Sequence, residues 1–216
     1  MPDIFDEVEE DLRAEKARKL AQRWGGLAAG VVLVAIAATA GVQGWRWYQA
    51  REASAAAETY LNLHRATELQ GADLAAAGNG FAALAREAPS GYQTLARLRA
   101  AALKAETGDL PGALVLWEQV ATDTGADPLY RDLATLMTVS HALDTGDPAQ
   151  LAARIAPLTV EGNPWRSSAR EAQALVALRR GETAEARRIL EALAADTAAP
   201  AGLRERAQRV AAGLRS

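Results

Sequence analysis

The stretch "ETGDLPGALVLWEQV", residues 106–120, has the pattern of a tight turn followed by an amphipathic helix. Gly108 is suited to end the preceding helix, because glycine adopts left-handed backbone angles without steric cost. Asp109 then lies near the start of the next helix, where a negative charge is favourable. Apolar residues follow at intervals of three and four, which indicates one buried helix face. We therefore predict that Trp117 packs in the interior of the protein.

The same turn pattern occurs at three other places in the chain. The related stretches are "LQGADL" at 69–74, "DTGDPAQL" at 144–151 and "RRGETAEA" at 179–186. The glycines of the four turns, Gly71, Gly108, Gly146 and Gly181, are separated by 37, 38 and 35 residues. A fixed period of this length is the signature of stacked helical hairpins. The sequence therefore predicts an all-α fold with a helical-repeat domain over residues 49–216.

These units resemble the tetratricopeptide repeat, whose turn is followed by a small residue and then by a large apolar one. The residues that match in the two best units are Gly108, Ala113 and Trp117, and Gly181, Ala186 and Leu190 with Pro200 beyond them. The third unit departs from the pattern with Leu151 and Ile155. The first unit fits through Ala77, Phe81 and Pro89 only if Ala72 takes the place of the glycine. The resemblance implies a degenerate tetratricopeptide-like solenoid, in which stacked hairpins bury a continuous core.

A long apolar segment precedes the repeats. From Gly25 to Trp45 there are 21 residues without a formal charge. As a helix they span roughly 30 Å, the thickness of the hydrocarbon core of a membrane. Aromatic residues stand at both ends, and they are Trp24, Trp45, Trp47 and Tyr48. Because Trp and Tyr favour the membrane–water boundary, we predict a transmembrane helix over residues 25–48 with these four side chains at the two membrane interfaces.

Two other interpretations of the apolar segment were weighed. A buried core helix is rarely apolar on all sides while carrying aromatic rings only at its ends. A cleaved secretion signal has some support, because Ala38-Thr39-Ala40 before Gly41 has the form of a cleavage site. However, the 24 residues before the segment hold seven acids, whereas signal peptides begin with a short basic region. A retained membrane helix is therefore favoured.

The charges that flank the segment predict its orientation. Five Lys or Arg residues precede it and three follow within about 20 residues, which favours a cytoplasmic N-terminus. Ile4, Phe5, Val8 and Leu12 recur at helical spacing. Residues 1–24 are therefore predicted to form a cytoplasmic N-terminal helix, and residues 49–216 a periplasmic domain.

The whole layout is similar to the single-pass ancillary subunit of the bacterial Sec translocon. The likeness rests on the acidic and then basic start, on "GWRWYQ" at 44–49, on the degenerate repeats, and on residues 163–207, which resemble the last repeat of that family. The resemblance implies an inner-membrane scaffold that binds the translocon and a membrane-anchored periplasmic chaperone. The alternative is a structural or regulatory subunit of another cell-envelope complex, bound mainly through its membrane helix.

Residues suited to chemistry are sparse. The chain has no cysteine, and its only histidines are His64 and His141. Ser140 adjoins His141 in sequence, but adjacent helix positions do not face each other. The stretch Gly78-Asn79-Gly80 mimics a dinucleotide-binding loop but follows no predicted strand. We therefore expect no enzyme activity, no metal, no cofactor and no small-molecule substrate. The net charge of −3 gives no basic field for nucleic acid.

The first helices of the two best-matched units carry an excess of basic residues. The bases are Arg97, Arg99, Lys104, Arg166, Arg170 and Arg179, against Glu106 and Glu171 as the only acids. First helices usually line the concave side of such arrays, so these six residues are the predicted contacts for an acidic partner segment. The alternative is that these side chains point away from the groove.

Overall fold

A computed structural model describes the backbone of residues 4–214. Side chains are described for residues 13, 15, 16, 18, 19, 22–24, 26, 27 and 29–214. The chain divides into two compact units, Met1–Glu52 and Ala53–Ser216. The helices are α1 (Ile4–Thr67), α2 (Leu74–Glu87), α3 (Ser90–Glu106), α4 (Leu110–Ala121), α5 (Pro128–His141), α6 (Pro148–Ile155), α7 (Arg166–Arg179), α8 (Thr183–Ala195) and α9 (Ala201–Gly213), with a short 3-10 helix at Ala156–Thr159 after α6. The fold is all-α, as predicted.

The first unit is the N-terminal part of α1. Among the described residues, the segment Ala29–Thr67 is long and apolar enough to cross a membrane, by length and composition alone. The 18-residue apolar window on which this rests has no buried residue. The side chains of Ile4, Phe5, Val8 and Leu12 lie outside the described residues, so the predicted amphipathic face of residues 1–24 stays a prediction.

The second unit is a stack of helical hairpins. Each helix from α2 onward packs on the next one, and α7 also contacts α5 and α9. The core between α3, α4 and α5 is centred on Trp117, which is 1% exposed and lies among Ala101, Ala113 and Ala134. Alanines let the helix backbones approach closely around the one large ring. The predicted burial of Trp117 is therefore confirmed.

Glycine ends α3 and α7 in the same manner. Gly108 and Gly181 have φ of 90° and 76°, in the left-handed region. The next amide reaches back to the last turn in both hairpins, with Asp109 N–H donating to the Lys104 carbonyl at 2.8 Å and Glu182 N–H to the Ala177 carbonyl at 2.9 Å. This pairing satisfies helix-end carbonyls that would otherwise lack a partner.

The third hairpin departs from this pattern, and the parallel with Gly108 fails at Gly146. The left-handed glycines are Gly71, Gly108, Gly162 and Gly181, so Gly146 is not among them. Crowding favours glycine at position 146 instead, because a Cβ there would lie 3.0 Å from the Ala142 carbonyl oxygen and 3.2 Å from Leu151. Helix α6 has only eight residues before the 3-10 turn, which is where the sequence departs most from the repeat pattern.

Candidate functional site

The six predicted basic residues lie on two helices. Arg97, Arg99 and Lys104 belong to α3, and Arg166, Arg170 and Arg179 belong to α7. In the chain, the hairpin of α5 and α6 lies between these helices. The six side chains are therefore two groups on separate hairpins. Whether they bind a partner stays a prediction.

Four of these bases pair with acids of the protein itself. The pairs are Arg97–Asp123 at 3.3 Å, Lys104–Asp109 at 2.6 Å, Arg166–Asp196 at 3.2 Å and Arg179–Asp144 at 3.5 Å. The first and third pairs join the first helix of a hairpin to the end of the second. Half-exposed pairs of this kind contribute little to stability. Their main consequence is that these four cations are already neutralised locally.

Arg99 and Arg170 differ, because neither has a carboxylate partner among the described residues. Arg99 Nη2 donates to the Thr67 hydroxyl at 3.2 Å, and its buried Nε has no hydrogen-bond partner. Arg170 lines a small cavity of about 150 Å³ together with Arg188 and Gln173. Of the six predicted residues, these two keep a positive charge that the described residues do not compensate.

Tyrosine rings that the sequence reasoning missed lie beside Arg99. The ring of Tyr60 lies 5.1 Å from Phe81 in an edge contact and 6.3 Å from Tyr92, between ring centroids. Burial raises the pKa of the Tyr60 phenol, and the positive charge of Arg99 acts on it in the opposite direction. His64 lies on the other side of Tyr60, and its buried Nδ1 has no partner.

A sequence signal for this aromatic set exists, and it is the repeat period. Tyr92, Tyr130 and Trp165 each precede the glycine of their own repeat by 16 residues. Trp165 joins two repeats, since its Nε1–H donates to the Leu129 carbonyl at 2.9 Å. An aromatic residue at a fixed place in the period predicts a row along the first helices, which the sequence analysis did not use.

A groove between α4, α5 and α6 was also missed. It has a volume of about 570 Å³. Its walls include Leu114 and Val115, and Glu118 and Arg154 form an ion pair of 2.5 Å at its lining. Thr138 lies at its floor, 7% exposed, with a hydroxyl that lacks a partner. The groove forms beside the short α6, and helix length is hard to predict from a degenerate repeat.

The four predicted interface residues are exposed in α1. Trp45 and Tyr48 lie 6.2 Å apart, between ring centroids, and the Arg51 guanidinium lies 5.7 Å from the ring centre of Trp47. Trp24 stands one helical segment earlier. Their place at a membrane boundary stays a prediction.

The residues first weighed for chemistry have structural surroundings. His141 stacks on Trp117, with ring centroids 4.7 Å apart. Gly78 lies inside α2 and packs against Leu103, so that it belongs to a helix and not to a nucleotide-binding loop. Within the described side chains, no group of three or more His, Cys, Asp or Glu residues is arranged to hold a metal ion.

Comparison with known proteins gives one family. The model of the tetratricopeptide repeat-like domain matches residues 18–208, a range that includes the apolar part of α1 as well as the repeat array. No curated protein and no solved structure matches the chain. Domains of this kind typically act as non-catalytic scaffolds for protein–protein interactions. Because the match covers most of its length, the chain belongs to the tetratricopeptide repeat-like domain family.

Proposed function

We propose that this protein is a membrane-anchored scaffold at the bacterial inner membrane, an accessory of the Sec translocon that recruits a membrane-anchored periplasmic chaperone. Residues 1–24 are then cytoplasmic, residues 25–48 span the membrane, and residues 49–216 form the periplasmic array. The observation that carries the proposal is the family match over 18–208, because one family model includes both the apolar helix and the repeats. The layout of the sequence, which is similar to the translocon subunit, supplies the choice of partner.

The two parts have separate roles in this proposal. The array supplies the binding surface, since stacked hairpins bury their core against each other and leave the first helices available to a partner. The membrane helix supplies location. A tether raises the effective concentration of the array beside a membrane-embedded complex and converts a weak contact into a lasting one. Neither role requires a catalytic group.

An alternative has an observation of its own. Gly26, Gly30, Gly41 and Gly44 have no atom within 4 Å of where a Cβ would stand. Small residues four positions apart allow two membrane helices to approach closely. This pattern favours a subunit that binds another cell-envelope complex through its membrane helix, with the array as a secondary element.

The proposal is tested by purifying the tagged full chain from bacterial membranes in mild detergent and identifying its companions by mass spectrometry. We expect the channel subunits of the translocon and a periplasmic chaperone. A reporter that is active only in the periplasm, fused after Ser216, is expected to be active. The proposal fails if the translocon is absent from the purified complex. It also fails if the mature chain begins at Gly41 and is recovered in the soluble fraction.

A further inference from the structure

We propose that Arg99, with Tyr60 and Tyr92, forms a binding site for an aspartate or glutamate side chain of a partner protein. The inference deepens the proposed function and rests on it, because it names the chemistry that one part of the array recognises. It narrows the six basic candidates to one, and it adds two tyrosines that the sequence reasoning missed.

The first step is the missing counter-ion. Arg97 lies two residues earlier on α3 and is paired with Asp123 at 3.3 Å. Arg99 is half-buried, yet within the described residues it contacts only the neutral hydroxyl of Thr67. The nearest acid in that part of α1, Glu68, lies 3.7 Å from His64 Nε2 instead. A half-buried cation without a counter-ion is costly, and a carboxylate from a partner would compensate it.

The second step is orientation. The Thr67 hydroxyl donates to the His64 carbonyl at 2.7 Å and accepts from Arg99 Nη2 at 3.2 Å. One side of the guanidinium is therefore held by α1, while Nη1 has no partner among the described residues. A guanidinium fixed in this way loses less side-chain freedom when it binds a carboxylate, so that more of the interaction appears as affinity.

The third step is the aromatic wall. Tyr60 and Tyr92 are half-buried, and neither phenol hydroxyl has a hydrogen-bond partner among the described residues. The electrostatic effect of Arg99 on Tyr60 places the two groups near each other. Rings beside a cation exclude water and strengthen its attraction for an anion, and a phenol O–H can donate to a carboxylate oxygen. The site thus offers a charge, neutral donors and an apolar wall.

The ligand is a side chain on a protein segment. The rings of Tyr60, Tyr92 and Phe81 offer apolar surface next to the charge, and an apolar residue adjacent to the acid would cover it. A partner segment that combines a glutamate or aspartate with a neighbouring leucine or aromatic residue fits both features. This choice also agrees with the general preference of stacked repeats for peptide segments.

The test uses the full chain in mild detergent and two fluorescent 12-residue peptides with blocked ends. One peptide is built of Leu-Glu-Ala units, and its twin has glutamine in place of every glutamate. We expect the glutamate peptide to bind about tenfold more tightly, as is usual for a hydrogen bond with a charged group. In the variant Arg99→Gln the difference between the peptides is expected to disappear. In the matched control Arg97→Gln it is expected to remain, because Arg97 is already paired with Asp123.

Several results would overturn the proposal. They are equal binding of the two peptides to the native chain, an equal loss in Arg97→Gln and Arg99→Gln, and tight binding of a glutamine peptide whose C-terminus is left free, which would indicate recognition of a chain terminus. If Arg99→Gln lowers the melting temperature, Tyr60→Phe provides a second variant that keeps the ring and removes one donor. A preference for glutamate that is undiminished in Tyr60→Phe would then count against the site.

The same variants separate this inference from the proposed function. If the translocon still co-purifies with the native chain but the two peptides bind equally, the Arg99 site is wrong and the scaffold role stands. If the peptide preference depends on Arg99 but no translocon is recovered, the site stands and the choice of partner is wrong.

Discussion

Replacing Trp117 by alanine is expected to lower the free energy of unfolding of the repeat domain by about 3–5 kcal/mol. Trp117 is 1% exposed and packs among Ala101, Ala113 and Ala134. Alanine side chains cannot move into the space that the indole leaves, so the cavity persists and the cost lies toward the upper end of the range. Loss of the stacking contact with His141 is part of the same cost.

The change is measured by urea titration of the full chain in mild detergent, followed by far-ultraviolet circular dichroism. One kcal/mol corresponds to about 2–4 °C of melting temperature in a domain of this size, so a parallel thermal scan is expected to shift by about 6–20 °C. Detergent keeps the apolar part of α1 helical, so that the observed transition reports the second unit. The slope of the transition is checked as well, because repeat arrays can unfold in steps.

The matched control is Val115→Ala. Val115 lies two residues before Trp117 on α4 and is 58% exposed. Its truncation is expected to change the stability by less than about 0.5 kcal/mol. An unchanged urea midpoint for Trp117→Ala, or equal losses for both variants, would refute the assigned core of this hairpin.

Two further predictions concern the turn at Gly108. Gly108→Ala is expected to destabilise the array by about 1 kcal/mol in the same titration, because φ is +90° there, whereas Gly202→Ala, on α9 where no atom is within 4 Å, is expected to be neutral or stabilising. A hydrogen bond from Lys104 holds the pKa of Asp109 below its usual value. Its contribution to stability is therefore present above the pKa of an unfolded aspartate, near about 4, and is lost as the pH falls through the lower folded pKa. Melting curves between pH 2 and pH 6 are expected to show the native chain losing its advantage over Asp109→Asn; a constant difference would contradict this.

The hairpins were predictable from the sequence because their signals are local. A glycine ends a helix by its own backbone freedom, and the apolar spacing after it marks the buried face. Trp117 followed from that spacing alone. Gly146 shows the limit of this reasoning. It occupies the expected place in the period, but the contacts of Ala142 and Leu151 decide its role, and the left-handed turn occurs at Gly162 instead.

The candidate site was predictable only in part. The sequence shows that α3 and α7 carry six bases, but not which acids the fold brings to them. Asp123 and Asp196 each follow the glycine of their repeat by 15 residues and reach Arg97 and Arg166 only when the hairpin closes. The free charge of Arg99 and the tyrosines beside it depend on how helices pack, since these residues are more than 30 positions apart.

The most direct test of an array-based scaffold compares three forms of the chain produced at equal levels in bacterial membranes. They are the full chain, a form that lacks residues 49–216, and a form in which residues 25–48 are replaced by an unrelated membrane helix. Each is purified in mild detergent, and the translocon channel recovered with it is quantified. We expect recovery to be lost without residues 49–216 and to be kept with the replaced helix. Recovery of the channel with residues 1–48 alone, and its loss when the helix is replaced, would contradict a binding role for the array.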